Sequence, residues 1–407
     1  MLSDGPHAAA ASLLRVTAGV DKRAMAGLST GHLATDFANG VVPALLPFLV
    51  LEFDLSYLQA GLVMLAWAIS SSVVQPLFGL WSDRRGALWL LPAGLAAGGA
   101  GIGLAAAAPS YWLVLLLVTV SGLGTAAYHP EGSKFAAYVS GDRRASGMSL
   151  FSIGGNLGYA LGPIAATAVI LRFGLDAGVV LAVPPLVVAG VLLLMRPYLE
   201  GFAPHRRATR VGEGRNRPRA LALLLAVIAV RNVAWFGLIT FVPLYEVARG
   251  HSAAYGNKLL SLMLLAGGVG TLVAGPVADR IGRRPVLIGS IAVMGPLVLV
   301  YLLAGGLVGA AALALVGISV IGTFGVSMVM SQEYLPRNIG LASGLTIGLA
   351  IGVGGLAAVG LGALADAIEL RNALYVCAAV PLAALLLGVR LPSSRARRPL
   401  APEPVAP

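Results

Sequence analysis

"GLWSDRRG" at residues 79–86 and "GPVADRIGRR" at residues 275–284 are two versions of one polar phrase. Each closes a long apolar run, and the two stand 196 residues apart. The same offset sets Pro47 on Pro243 and Asp36 on Asn232, and "ASGMSL" (145–150) answers "ASGLTI" (342–347) at 197. The chain therefore reads as two parallel copies of one unit joined end to end, and internal repetition on this scale bounds the architecture before any local structure is considered.

The runs around the two phrases set the medium. Hydrophobic residues make up 58% of the 407 and charged residues 11%, against roughly 45–50% and about 25% in a soluble domain. A helical span needs roughly 20 apolar residues. The sequence predicts twelve: 24–50, 57–81, 87–107, 111–133, 145–172, 177–196, 219–246, 255–278, 285–305, 307–331, 339–365 and 371–390. A membrane barrel would show alternating segments of about ten residues instead. The expectation is an all-α membrane protein of two pseudo-symmetric six-helix bundles, 24–196 and 219–390. Around them lie a tail over 1–23, a basic linker over 197–218 and a tail over 391–407. Parallel repeats place the twofold axis along the membrane normal and the site between the bundles near the midplane. Cys377 is the only cysteine, so no intramolecular disulfide forms.

The net charge of +11 does not indicate nucleic acid, because its placement follows topology. With both termini inside, 23 of the 28 Lys and Arg residues fall in inside segments and four, Arg172, Arg249, Lys258 and Arg371, outside. Positive residues gather on the cytosolic side of membrane proteins, so both termini are expected in the cytosol and the protein in the cell's inner membrane. Arg231 alone lies within a span.

The pattern G-x-x-x-D-R-x-G-R-R after the second span of a six-helix half resembles the signature loop of the major facilitator superfamily. Gly275, Asp279, Arg280, Gly282, Arg283 and Arg284 match it in full. The first copy keeps Gly79, Asp83, Arg84 and Gly86 but has Ala87 and Leu88 for the basic pair. "HLATDFANGVVPALLPFL", "LSYLQAGLV", "SSVVQPLFGLWSDR", "YHPEGSKFAAYVSG" and "GMSLFSIGGNLGYALGP" further resemble the fosmidomycin-resistance branch, specifically through about residue 165. The resemblance implies the major facilitator fold and proton-coupled export. It also implies that arginines of the signature loops pair with an acid or cap a helix end of the other half, gating the cytosolic mouth. Gly158, Gly162 and Pro163 form a partial copy of a glycine motif found in the superfamily's antiporters, with close helix packing as its physical content.

Ionisable residues inside spans are costly and mark function. His32, Asp36, Asn39 and Pro43 fall within an arc of about 60° on one helix, so a wet cavity can see them while lipid does not. Asp36 lies about 16 Å along its span and Arg231 roughly 18 Å along the seventh. At equal depth, Arg231 either pairs with Asp36 or holds a substrate anion. His129 and Glu131 flank Pro130, which disturbs the helix, and Glu131 has Lys134 as an alternative partner at i+3. The expected roles are proton coupling for Asp36, His32, Glu131 and His129, and substrate binding for Asn39, Arg231, Asn232 and Trp235. Gly79, Asp83, Arg84, Gly275, Asp279, Arg280, Arg283 and Arg284 are expected to gate. No catalytic constellation, metal-ligand cluster or cofactor motif stands out, so neither an enzyme nor a metal or cofactor protein is expected. The expected partners are a small-molecule substrate, protons and the lipid bilayer, with the protein a monomer. A proton-coupled antiporter exporting a drug or small organic anion is the leading reading. The alternatives are an uptake symporter for such an anion and a transport-dead membrane sensor.

Overall fold

The computed structural model describes residues 19–85, 87–202 and 215–392, so much of the expected tails and linker lies outside the described residues. Regular structure among the described residues is helical. The first bundle comprises α1 (Lys22–Phe53), α2 (Tyr57–Ala68), α3 (Gln75–Arg85), α4 (Leu90–Ala106), α5 (Tyr111–Val139), α6 (Arg144–Phe173) and α7 (Val183–Glu200). The second comprises α8 (Pro218–Ala248), α9 (Ala253–Ile281), α10 (Arg283–Ala304), α11 (Gly306–Gly322), α12 (Phe324–Tyr334), α13 (Ile339–Ile368) and α14 (Leu370–Gly388). Eleven spans are long and apolar enough to cross a bilayer, and α4 is a shorter apolar helix. These are the twelve expected spans. α2 and α3 form one, joined by a π-helical stretch over Ile69–Val73, and α11 and α12 form another, broken at Thr323.

The ends follow local chemistry. Asp21 caps α1, its Oδ1 accepting the Ala24 N–H at 2.8 Å while Tyr198 donates to Oδ2 at 2.8 Å. Ser56 and Gln59 form a reciprocal capping box on α2. In the signature loop Gly282 ends α9 at φ 98°, a left-handed conformation that favours glycine.

α1 and α6 touch backbone to backbone. A Cβ on Gly154, Gly158 or Gly162 would run into the carbonyl oxygens of Ser29, Leu33 and Phe37 respectively. Glycines four apart on one helix thus meet carbonyls four apart on the other, which is how small residues let membrane helices approach. Across the bundles, α2 packs on α13 and α6 on α9.

Cross-bundle hydrogen bonds gather toward the face opposite the terminal face, the one that holds the start of α1 and the end of α14. There both carboxylate oxygens of Asp366 on α13 accept the Tyr57 and Leu58 N–H groups of α2, at 2.8 and 2.9 Å. Asn257 on α9 donates to the Ala44 carbonyl at 3.1 Å and to Thr167 Oγ1 at 2.8 Å. At mid-depth Asn156 donates to Thr271 at 3.3 Å. The stretch of α1 beyond residue 40 is sealed, with Val41, Val42, Ala44, Leu45, Leu46 and Leu49 fully buried.

Candidate functional site

Asp36 sits where that seal begins, and the stripe on α1 closes into one hydrogen-bonded set with α2, α5 and α6. Asn39 fixes its orientation. Its Oδ1 accepts the Trp67 indole N–H at 2.9 Å and the Thr125 hydroxyl at 2.8 Å. An indole N–H only donates, so the Asn39 amide nitrogen must face the other way, and it donates to Asp36 Oδ1 at 2.8 Å. His129 Nε2 stands 3.1 Å from the same oxygen. The kink expected at Pro130 does not break α5, and His129 is turned toward α1.

The second oxygen of Asp36 faces a different situation. His32 Nδ1 lies 2.8 Å from the Phe151 carbonyl, which can only accept, so Nδ1 carries a hydrogen. His32 Nε2 lies 3.2 Å from Asp36 Oδ2. A neutral imidazole protonated on Nδ1 would aim its Nε2 lone pair at a carboxylate lone pair. One proton must therefore reside between them, on the ring or on the carboxyl. The ring of Phe151 stacks on His32 at 4.1 Å, and Gly155 presses from α6, where a Cβ would come within 2.5 Å of Asp36 Oδ2. The set is partly accessible, with side-chain exposures of 15% for His32, 18% for Asp36 and 26% for His129. With α1 sealed beyond residue 40, that access comes from the terminal face. Ligand atoms of His32, Asp36 and His129 also lie within 4.8 Å of one another, a grouping invisible in the sequence that could hold a divalent cation. As hydrogen-bonded here, the three already satisfy one another.

A sequence profile of the Major Facilitator Superfamily matches residues 28–359, and again 255–407. The chain belongs to the major facilitator superfamily. Its relatives include the fosmidomycin resistance protein of Escherichia coli, 32% identical over 380 residues, covering 91% of this chain and 93% of that protein. An uncharacterized MFS-type transporter of Bacillus subtilis, YfnC, is 32% identical over 381 residues, covering 90% and 92%. The likeness to the fosmidomycin-resistance branch thus runs nearly the full length, well past residue 165. A bacterial homologue of the lysosomal transporter Spinster, solved in an inward-facing occupied conformation, has the same fold. It gives a TM-score of 0.73 at 15% identity, over 90% of this chain and 95% of that one.

The remaining residues expected at the site of this superfamily transporter divide. Asn232, the counterpart of Asp36, donates to the Ala350 carbonyl of α13 at 2.9 Å. Trp235 is buried in the core. Arg231 is also buried, and Nη1 donates to Thr323 Oγ1 at 3.0 Å beside the α11–α12 break, while Nε has no partner. It points into its own bundle, and Asp36 is instead engaged by His32, His129 and Asn39. The expected choice between Asp36 and a substrate anion therefore meets a third arrangement. Arg231→Gln, which keeps a donor for Thr323, is expected to leave the pH profile of transport unmoved. A shift in the pH optimum, read from initial rates across pH, would restore Arg231 as the Asp36 counter-ion.

Glu131 is buried and salt-bridged to Lys134 at 2.6 Å, with Ser82 hydrogen-bonded to both. It takes the same-helix alternative rather than joining Asp36. The complete signature loop also stays within its bundle. Arg283 pairs with Glu333 at 2.5 Å and stands 3.9 Å from Asp279, while Arg284 donates to the Val389 carbonyl at the end of α14. The expected contact with the other half is replaced by an acid and a helix C-terminus of the same half, with cross-bundle ties kept at the opposite face. Arg280 is exposed, and neither Gly275 nor Gly79 is crowded. The Asp83 and Arg84 side chains lie outside the described residues.

Proposed function

We propose that this transporter exchanges protons for a small organic anion, exporting it by alternating access, with Asp36 and His32 holding the exchanged proton. The observation that carries the reading is the proton that geometry requires between Asp36 Oδ2 and His32 Nε2. An acid and an imidazole sharing one proton, accessible from one face only, form a loading site. The 23-to-4 distribution of basic residues supports placing the terminal face in the cytosol of a cell membrane. The present conformation is then inward-open, and the bundles over 24–196 and 219–390 rock about the site. The relative named for fosmidomycin resistance supports a phosphonate as the first substrate to try.

The sign of coupling follows from which substrate atoms reach Asp36. A substrate that offers an O–H or N–H to the carboxylate competes with the proton for the same lone pairs, and binding expels the proton. A substrate that offers only its anionic group toward His129 binds best when the proton is present, which is the uptake reading. Adding fosmidomycin to the purified protein in weakly buffered detergent solution separates the two. Antiport requires proton release on binding, and proton uptake would replace it with symport. The transport reading itself is tested in proteoliposomes, where an imposed pH gradient should drive fosmidomycin against its own gradient until an uncoupler is added. Flux indifferent to the gradient would remove proton coupling.

A further inference from the structure

At the terminal face, the chain entering α8 lines a cavity of about 780 Å³. Three guanidinium-bearing residues, Arg215, Arg217 and Arg219, lie on its wall with no carboxylate among the described lining residues, and Leu223 and Pro392 add an apolar side. The wall is held in place by its backbone and by Asn216. The Arg217 N–H donates to the Tyr334 carbonyl at 2.6 Å, Asn216 donates to Asn338 at 2.9 Å, and the Arg337 N–H donates to Asn216 at 3.1 Å. No carboxylate among the described residues pairs with the three arginines. Pro218 begins a membrane span, so this cavity lies at the depth of lipid headgroups.

We propose that this cavity binds the headgroup of an anionic phospholipid of the terminal-side leaflet. Guanidinium groups suit phosphate, for which they offer forked donors. Basic pockets among span ends are a known mode of anionic headgroup recognition. A free phosphate would use the arginines but leave most of the volume and the apolar side unfilled, whereas a lipid lays its glycerol and first acyl carbons against Leu223 and Pro392. The occupant would touch the entry of α8 and the end of α14 together, pinning the segment that leads out of the linker. This site is independent of the proton site and of the transport reading.

The test is native mass spectrometry of the intact protein, and lipid exchange in nanodiscs of phosphatidylcholine doped with phosphatidylglycerol. Wild type is expected to retain phosphatidylglycerol over phosphatidylcholine. The triple variant Arg215→Gln, Arg217→Gln, Arg219→Gln is expected to weaken that binding about 100-fold, roughly fivefold for each charge lost near the surface. A matched triple on the first bundle, Arg143→Gln, Arg144→Gln, Arg196→Gln, removes the same charge from the same face and should cost far less. Equal losses in the two triples would reduce the effect to general surface electrostatics and overturn the site. Competition by inorganic phosphate at millimolar concentration, as effective as lipid, would overturn the lipid assignment. Thermal unfolding of each variant checks folding. If the first triple unfolds, single substitutions are read instead, and unchanged phosphatidylglycerol retention in all three overturns the proposal.

Discussion

Asp36→Asn is expected to yield a folded protein that exchanges substrate for substrate but no longer accumulates it against a gradient. Asparagine reproduces every contact around the site. Its carbonyl, at the place of Oδ1, accepts from Asn39 and His129 as the carboxylate does. Its amide, at the place of Oδ2, donates to His32 Nε2 and so supplies the hydrogen that the native pair must share. Every native partner of Asp36 keeps its hydrogen bond, so the stability cost of stranding one of them is avoided. What disappears is the exchangeable proton. The sign in pH follows. On the proposed coupling, raising pH on the accessible side empties the native site and makes transport change steeply with pH, whereas the variant should show a flat profile over the same range. The measurements are counterflow and gradient-driven uptake in proteoliposomes, with thermal unfolding in detergent as the control. Gradient-driven accumulation at the wild-type rate would make Asp36 a structural residue.

The legibility of this site varied with how far each residue lies from its neighbours in sequence. His32, Asp36 and Asn39 could be grouped because one helix carries them, and helical phase alone decides which side chains share a face. His129 is a candidate from sequence, but its direction is not legible there, because Pro130 makes the phase of α5 unreliable. Trp67, Thr125, Phe151 and Gly155 carry no mark in the sequence. Each is an ordinary span residue until tertiary packing sets it against α1. Gly155 belongs to a glycine-rich stretch, and nothing marks it off from Gly154 or Gly158 until α6 is docked. Arg231 shows a different failure. Depth along a span is all that counting residues supplies for Arg231, and depth carries no azimuth. The repeat held the missing angle, since Asp36 corresponds to Asn232 and Arg231 therefore corresponds to Thr35, which is buried and bonded to its own helix at Gly31. One residue is about 100° of turn, enough to aim Arg231 into its bundle rather than at Asp36. The signature loop is placed by its motif, whereas its partners are not, because they depend on how the helix ends around it pack.

Gly158→Ala is expected to destabilise the protein and to lose coupling along with stability. The added methyl group meets the Leu33 carbonyl oxygen, a backbone atom that cannot rotate away. The helices must separate, and overpacking of this kind costs typically 1–3 kcal/mol, with the upper end expected where backbone is the obstacle. The damage does not stay local. α6 carries both the Phe151 carbonyl that fixes the His32 tautomer and Gly155, which presses on Asp36. Moving α6 outward lengthens the Phe151 contact and frees the His32 ring, so the proton between His32 and Asp36 is no longer dictated by geometry. Gly360→Ala on α13 is the control. A Cβ there meets nothing within 4 Å, and alanine in a helix interior is favoured over glycine by about 1 kcal/mol. That variant should match or exceed wild type in thermal unfolding and transport normally. If Gly158→Ala unfolds at the same temperature as Gly360→Ala and still couples, the α1–α6 contact is not what holds the proton site together.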